Sequence, residues 1–303
     1  MSAVKTLLPG SVNAEGRIAT LGVMGGGQLG RMFVQAAQEM GYYTAVLDAD
    51  PVSPAGLVSH FHIQTGYEDA AGLAELAERC DAITTEFENV PAPALQTLAA
   101  SRPVAPAASA VAVAQDRIAE KALFVACAQA GGVGPAPYAA LETEADLAAV
   151  GDELLPGILK TARLGYDGKG QIRVKDRAEL AAAWEQLGRV PCVLEKMLPL
   201  KAECSVIVAR GADGQAVSYP VQRNTHIDGI LAVTEVFEGA LPAALCDKAR
   251  TATIAIAHQL QYVGVLCVEF FLLADGSLEE IEINPILVRQ SGAVAVDALI
   301  RKA

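Results

Sequence analysis

The stretch GVMGGGQLGRM, residues 22–32, decides the fold of the first part of the chain. It has the spacing G-x-G-x-x-G at Gly25, Gly27 and Gly30, directly after an apolar run, and a second apolar run ends at Asp48. This is the layout of a dinucleotide-binding unit, in which glycine N–H groups and a helix N-terminus hold an anion. Taken alone, the stretch predicts a nicotinamide or flavin site.

Around this loop, strand-like and helix-like segments alternate. Strands are predicted over residues 18–23, 43–50, 61–66 and 81–87, and helices over 29–40 and 72–80. Such alternation predicts a parallel sheet covered on both faces, a Rossmann-like α/β domain. We place its end near residue 105, within the Ala- and Pro-rich stretch 91–116, and we expect residues 1–16 to form a flexible tail.

The second half of the chain has a different pattern. Helices are predicted over residues 116–131 (with Asp116 as N-cap), 178–188 and 245–261, and short strands over 157–162, 171–175 and 192–197. Hairpins are predicted over 205–220 and 263–285. Antiparallel strands with helices indicate an α+β domain, so the fold class is α/β followed by α+β.

Composition narrows the class of protein. The 303 residues are 52% hydrophobic and carry a net charge of −12, whereas a nucleic-acid binder normally shows a basic surface. No apolar run approaches the roughly 18 residues of a membrane span, and the N-terminus is too weakly apolar for a secretory signal. The six cysteines are scattered without a C-x-x-C pair, which predicts reduced thiols in a cytoplasmic protein.

The final hairpin places two carboxylates opposite each other. If Asp275-Gly276 is a two-residue turn with Ala274 facing Ser277, then Glu269 pairs with Glu282, and Asn284 follows two residues later. Like charges opposed in a sheet are destabilising, and a divalent cation would resolve the conflict. The alternative is one glutamate at the sheet rim and the other in a salt bridge.

A glycine-rich loop, GYDGKGQ at residues 165–171, joins two predicted strands. Its backbone N–H groups and Lys169 could wrap an anion and close over phosphates, although a plain hairpin turn has the same composition. Lys160, among apolar residues in the preceding strand, needs an anionic partner, and a phosphate oxygen would serve.

Together these features resemble the ATP-grasp superfamily and, within it, the N5-carboxyaminoimidazole ribonucleotide synthetases. The strings that carry the resemblance are GGGQLGRM, TTEFENV, AQDRIAEK, GYDGKGQ, YPVQRNTHIDGI and YVGVLCVEFF, spread from about residue 17 to residue 282. The resemblance implies a Rossmann-like pre-ATP-grasp domain over 17–105 and an ATP-grasp domain over 106–303, with a lid over about 133–195.

The resemblance also implies ATP and Mg²⁺ as cofactors, with Mn²⁺ as a substitute, and it implies residue roles. The implied nucleotide contacts are Arg117, Lys160, Gly165, Gly168, Gly170, Gln171, Glu195, Lys196, Leu198, Glu203, His226 and Asn284. The segment 195–198 would hold adenine by backbone groups, and Glu203 would bind the ribose. The implied metal ligands are Glu269, Glu282 and Asn284, the implied catalytic residues are Tyr166 and Lys169, and the acceptor phosphate would lie on Gly26, Gly27, Gln28 and Leu29.

The implied reaction is the carboxylation of 5-aminoimidazole ribonucleotide by ATP and bicarbonate through carboxyphosphate, in purine biosynthesis. The expected partners are these small molecules and a second copy of the chain in a homodimer, with no nucleic acid and no membrane. ATP then belongs to the second half of the chain, which supplies no hydride-acceptor site, and Asp48 loses its role as a ribose clamp.

The end of the chain departs from the family pattern. After the second magnesium glutamate the family has IAPRPHNSGH and a further small domain, whereas this chain has INPILVRQSG, similar to the end of the ATP-grasp portion of ADP-forming acyl-CoA synthetases. Two alternatives therefore stay open. The protein is an ATP-grasp ligase with another carboxylate acceptor, or it binds ATP with an incomplete acceptor site.

Overall fold

The computed structural model describes residues 7–13, 16–165, 170–227, 230–237, 239–285, 288–289 and 292–293. Within these ranges it describes the side chains except at 230, 280–285, 288–289 and 292–293.

The first part of the chain is a Rossmann-like domain. Its elements are β1 (Thr20–Met24), α1 (Gln28–Glu39), β2 (Tyr43–Leu47), β3 (Phe61–Ile63), α2 (Ala70–Arg79), β4 (Ala82–Thr85), α3 (Ala92–Ala99) and α4 (Ala108–Ala114). The four strands form one sheet in the order β3-β2-β1-β4, and every pair is parallel. The predicted parallel sheet is confirmed, and it directs the end of β1 into the glycine loop that opens α1.

Two helices lie within the Ala- and Pro-rich stretch that we had interpreted as a domain boundary. Pro93 lies in the first turn of α3, a position where the missing N–H of proline costs nothing. Leu95 and Leu98 of α3 are fully buried, and the helix thereby joins the core beneath the parallel sheet. The apolar residues of this stretch therefore belong to a core, and the domain end near residue 105 stays a prediction.

The second part of the chain contains two further sheets. Its elements are α5 (Arg117–Gly131), β5 (Gly134–Pro135), β6 (Tyr138–Leu141), α6 (Glu144–Ala149), β7 (Gly157–Thr161), β8 (Gln171–Val174), α7 (Arg177–Gln186), β9 (Cys192–Lys196), β10 (Leu200–Arg210), β11 (Ala216–Ser218), β12 (Gln222–Ile227), β13 (Ile230–Glu235), α8 (Ala243–Gln259), β14 (Gly264–Leu273), β15 (Leu278–Pro285), β16 (Val288–Arg289) and β17 (Gly292–Ala293).

The small sheet has four antiparallel strands in the order β6-β9-β7-β8. Its core includes Leu159, Leu194 and the indole of Trp184 on α7. The large sheet has the order β13-β12-β10-β14-β15-β5, with β11 also paired to β10. Its core includes Phe124 of α5, Ile256 of α8 and Phe270 of β14, so both helices cover this sheet. This arrangement agrees with the predicted α+β character.

The N-terminus of α5 lies between the two sheets and begins as expected. The Asp116 carboxylate accepts hydrogen bonds from Ile118 N–H (3.0 Å) and Ala119 N–H (3.3 Å), so it is the predicted N-cap. The cap fixes where Arg117 and Lys121 project, and both contribute to the candidate site below.

The last hairpin reaches the predicted pairing by a different route. Its loop comprises Ala274, Asp275 and Gly276, because Leu273 N–H donates to Ser277 O (2.9 Å). Gly276 has φ +88°, as the last residue of such a loop requires. The predicted contact of Ala274 with Ser277 is therefore wrong by one residue.

An irregularity farther along the hairpin restores the expected register. Phe270 pairs with Glu280, but Glu269 pairs with Glu282, so β15 has one extra residue at this point. Cys267 then pairs with Asn284. The bulge compensates for the longer turn, and the two glutamates face each other as predicted.

Candidate active site

Two lysines share one buried carboxylate at the start of the site. Glu195 of β9 is 5% exposed. Its Oε2 lies 2.7 Å from Lys160 Nζ of β7, and its Oε1 lies 3.1 Å from Lys121 Nζ of α5. The predicted anionic partner of Lys160 is thus supplied by the protein itself. Sequence reasoning missed Lys121, whose only signal is a charge at a core position of helix α5.

The two ammonium groups keep Glu195 ionised. Burial acts to raise the pKa of the Glu195 carboxyl, but Lys160 and Lys121 outweigh it and hold the pKa at about 2. Because the folded pKa lies below the ordinary value of 4.5, the ionised group stabilises the fold above about pH 4.5. That contribution is lost as the pH falls toward 2.

We expect Glu195→Gln to flatten the acid dependence of stability. Between about pH 6 and pH 3 the urea midpoint of the wild type should fall more steeply than that of the variant, because only the unfolded wild type takes up a proton at this position in that range. The exposed Glu68→Gln serves as control and should follow the wild type. Parallel curves for wild type and Glu195→Gln would show that the carboxylate is not held ionised by its lysines.

Arg117 anchors the beginning of the glycine-rich loop. The Arg117 guanidinium donates to Thr161 O (3.1 Å) and to Gly165 O (2.8 Å), and the backbone N–H of Arg117 donates to Ala162 O (2.9 Å). The predicted phosphate contact of Arg117 stays a prediction. In this structure the guanidinium joins the N-terminus of α5 to the end of β7 and to the loop.

The glycine-rich loop is described only at its two ends. Tyr166, Gly168 and Lys169 lie outside the described residues. Gly170 has φ +70°, and its carbonyl accepts from Thr161 N–H (2.8 Å), which closes the base of the loop. Gln171 begins β8 and pairs with Lys160. The described ends thus bring the loop next to the lysine that we predicted to hold phosphate.

The segment that follows Glu195 already uses some of its backbone groups. Lys196 N–H donates to Pro137 O (2.9 Å), Met197 N–H donates to Pro156 O (3.0 Å), and Leu198 O accepts from Leu200 N–H (3.0 Å). The predicted backbone contacts to adenine stay a prediction, and they fall on other groups of residues 195–198.

Glu203 and His226 meet on the large sheet. Glu203 of β10 pairs with Asn224 of β12, which brings His226 Nδ1 against a carboxylate oxygen of Glu203. Both side chains are partly exposed. Two residues that were predicted separately for the nucleotide site therefore form one polar pair.

A buried polar network lies beside this pair. Asn224 Nδ2 donates to Ser205 Oγ (3.0 Å), and Ser205 Oγ donates to Gln222 Oε1 (3.0 Å). Thr234 Oγ1 donates to Asn224 Oδ1 (3.2 Å). Ser205 also pairs across the sheet with Glu269. The network fixes the strands that carry Glu203, His226 and Glu269, and sequence reasoning did not find it.

Glu269 is partly buried, and its strand partner is Glu282. The side chains of Glu282 and Asn284 lie outside the described set. Among the described side chains no cluster of three His, Cys, Asp or Glu forms a metal site. Two carboxylates and an amide oxygen at this register are nevertheless the donor set that Mg²⁺ prefers.

The glycine loop of the Rossmann-like domain is occupied by carboxylates. Gly27 N–H and Gly30 N–H donate to the two oxygens of Glu86 (2.9 and 2.6 Å), and Gly26 N–H donates to Asp48 (2.7 Å). Burial raises the pKa of Glu86, while the two loop N–H groups act against that rise. The predicted contact of Gly26 and Gly27 with an acceptor phosphate stays a prediction, and in this structure their N–H groups donate to carboxylates instead.

Asp48 has a structural role at the same loop. Its carboxylate also accepts from Tyr67 OH (2.9 Å) and from Asp50 N–H (2.8 Å). It therefore braces the loop. Gln28 and Leu29 begin α1, and their contact with an acceptor phosphate stays a prediction.

Within the part of the chain that the structure describes, no helix has both the length and the apolar character needed to cross a bilayer.

Comparison with known proteins identifies the family. A model described as ribonucleotide synthetase preATP-grasp domain matches residues 18–115, and one described as ATP-grasp domain matches residues 126–299. The chain is 41% identical over 270 residues to the N5-carboxyaminoimidazole ribonucleotide synthase of Brucella melitensis, covering 88% of this chain and 73% of that protein. It is 39% identical over 266 residues to the synthase of Pseudomonas aeruginosa, covering 88% of this chain and 71% of that protein.

Solved structures agree with the sequence relatives. The Staphylococcus aureus N5-carboxyaminoimidazole synthetase complexed with ADP has a TM-score of 0.80 at 32% identity, covering 93% of this chain and 73% of that one. The Aspergillus clavatus enzyme in complex with ADP and 5-aminoimidazole ribonucleotide has a TM-score of 0.75 at 31% identity, covering 88% and 69%. The chain belongs to the N5-carboxyaminoimidazole ribonucleotide synthetase family.

Proposed function

We propose that this protein is an ATP-dependent carbon–nitrogen ligase that carboxylates 5-aminoimidazole ribonucleotide to its N5-carboxyamino derivative, with bicarbonate as the carbon source. The observation that carries the proposal is the pairing of Glu269 with Glu282 on the sheet that also holds Glu203 and His226. Carboxylates in this register suit a nucleotide with its divalent cation. The identity of the acceptor substrate is inferred from membership of the family.

The nucleotide would lie between the small and large sheets. Lys160 and Arg117 would face its phosphates, the backbone of residues 195–198 would receive adenine, and Glu203 with His226 would contact the ribose. Mg²⁺, when bound by Glu269, Glu282 and Asn284, would neutralise phosphate charge during transfer.

Catalysis would depend on positioning and charge neutralisation. Phosphoryl transfer from ATP to bicarbonate forms carboxyphosphate, which decomposes to CO₂ and phosphate, and the acceptor amine then attacks CO₂. Loop 165–171, with Tyr166 and Lys169, would cover this step, since carboxyphosphate must be kept from water. The acceptor would approach from the glycine loop at Gly26–Leu29, where its phosphate must share or displace the carboxylates of Asp48 and Glu86.

We also propose a cytoplasmic homodimer. The six cysteines are free thiols, five of them buried, as expected for a reducing compartment.

Light scattering on the purified chain should give twice the monomer mass, and a monomer mass at micromolar concentration would contradict the dimer.

ADP release under an omission series tests the proposed reaction. With Mg²⁺ and bicarbonate present, adding 5-aminoimidazole ribonucleotide should raise ADP release at least about tenfold, because productive closure needs the acceptor. ADP release that is independent of the ribonucleotide would indicate an incomplete acceptor site. A thioester formed with CoA and a small acid would instead indicate another acceptor, the alternative suggested by the resemblance of INPILVRQSG to the ADP-forming acyl-CoA synthetases.

A further inference from the structure

The ammonium group of Lys121 lies in the protein interior. Its side chain is 1% exposed, and it is among the largest fully buried side chains described. A buried charge is costly unless it is paired, so its contact with Glu195 Oε1 is needed for folding. A stability role alone would be met equally well by an apolar pair at these two positions, which raises the question of what the charges do.

The geometry of Glu195 answers this question. Each of its oxygens contacts a different ammonium group, Oε1 that of Lys121 and Oε2 that of Lys160. Two ammonium groups and one carboxylate leave one net positive charge on the cluster. Lys160 is the more exposed of the two lysines, with 16% of its side chain accessible against 1% for Lys121. The surplus positive charge is therefore available at Lys160 and not at Lys121.

We infer that Lys121 is a positioning residue that offsets the charge of Glu195, so that Lys160 keeps its attraction for the phosphates of the nucleotide. This inference rests on the proposed function, because it takes the nucleotide phosphates to lie at Lys160. Without Lys121, both oxygens of the buried carboxylate have only Lys160 to pair with. The Lys160 charge is then neutralised within the protein, and its ammonium is drawn away from the ligand.

One more carboxylate faces this cluster. Glu279 of β15 is partly buried, and its Oε2 is fully buried with no hydrogen-bond partner among the described residues. Burial raises its pKa, and the nearby Lys121 charge acts against that rise. Glu279 therefore does not lie on a solvated face. Its charge must be held constant when the role of Lys121 is tested.

Four proteins separate the charge effect from a stability effect: wild type, Lys121→Met, Glu195→Gln, and the variant with both changes. Both substitutions keep the side-chain volume nearly unchanged. The net charge of the cluster is +1 in the wild type and in the double variant, zero in Lys121→Met, and +2 in Glu195→Gln. Stability should instead depend on whether each buried charge keeps its partner. Lys121→Met leaves Glu195 Oε1 without an ammonium group, and Glu195→Gln leaves Lys121 without a carboxylate, so both single variants should melt below the wild type. The double variant removes both charges and should recover.

Calorimetric titration with MgADP gives the decisive readout. We expect Lys121→Met to bind about tenfold more weakly, the double variant to bind within about threefold of the wild type, and Glu195→Gln to bind at least as tightly as the wild type. The same order should hold in a Glu279→Gln background, where that charge is fixed. Should Lys121→Met not fold, Glu195→Gln and the double variant can still be compared. Without the Glu195 charge there is nothing for Lys121 to offset, so these two should bind within about threefold of each other, and a difference of about tenfold would contradict the inference.

The result that would overturn the inference is weaker binding by both single variants to the same extent, since affinity would then follow stability and not charge. That failure is distinguishable from failure of the proposed function. If the wild type binds MgADP and turns over with 5-aminoimidazole ribonucleotide while the charge order is not obeyed, only the role of Lys121 is wrong. If the wild type does not bind MgADP, both are wrong.

Discussion

Glu269→Gln is expected to reduce MgATP turnover by about 100- to 1,000-fold, the loss typical of removing one strong electrostatic contact from an active site. The carboxylate lies opposite Glu282, and its strand neighbour Ser205 belongs to the buried polar network. An amide has nearly the same shape but lacks the charge that a divalent cation requires. Initial rates of ADP release at saturating ATP measure the effect.

Asp275→Asn is the matched control for this change. It makes the same carboxylate-to-amide substitution in the same hairpin, at an exposed position in the loop. The control should retain the wild-type rate, and both variants should melt near the wild type. A wild-type rate in Glu269→Gln would show that the carboxylate pair is not the metal site.

Gly30→Ala is expected to destabilise the protein by about 2–4 kcal/mol, although alanine is the better helix former by about 1 kcal/mol. A Cβ at Gly30 would lie 2.3 Å from Glu86 Oε2 and 2.6 Å from Gly25 O. The new methyl group would therefore break the bond from Gly30 N–H to Glu86 and push α1 away from the loop. Urea unfolding followed by circular dichroism gives the free energy of unfolding.

Gly66→Ala provides the comparison for that measurement. A Cβ at Gly66 would meet nothing within 4 Å, so its free energy of unfolding should change by no more than about 0.5 kcal/mol. If Gly30→Ala were as stable as Gly66→Ala, the close approach of Glu86 to the glycine loop would not exist in solution.

The parts of the fold that local rules determine were predictable. The glycine spacing and the strand–helix alternation predicted the parallel sheet, and the polar residue before an apolar helix predicted the Asp116 cap. The pairing of Glu269 with Glu282 was also predicted, but through a turn that the structure does not have. A longer loop and a bulge compensate for each other, and the hairpin sequence alone shows neither.

Other features depend on contacts between distant parts of the chain. Glu86 contacts the glycine loop from 56 to 59 residues away in sequence. The Lys121–Glu195 pair joins helix α5, which covers the large sheet, to strand β9 of the small sheet. Propensity and periodicity describe neighbours in sequence, so they cannot locate such partners. The Lys121 side chain was detectable only as a charge at an apolar position, and its partner was not detectable at all.

The Ala- and Pro-rich stretch shows the limit of composition as a signal. Low charge and several prolines led us to place a domain end here without predicting helices, yet Pro93 lies in the first turn of α3 and Leu95 is fully buried. A helix start with proline in its first turn and apolar residues three apart was present in the same letters.

The proposed function requires that this chain couple ATP cleavage to carboxylation of 5-aminoimidazole ribonucleotide. The most direct test supplies isotopically labelled bicarbonate with MgATP and the ribonucleotide, and follows the label and the ADP in the same reaction. We expect labelled carbon in the ribonucleotide product at one equivalent per ADP formed, and almost none with Glu269→Gln. ADP formation by the wild type without label in the ribonucleotide would contradict it.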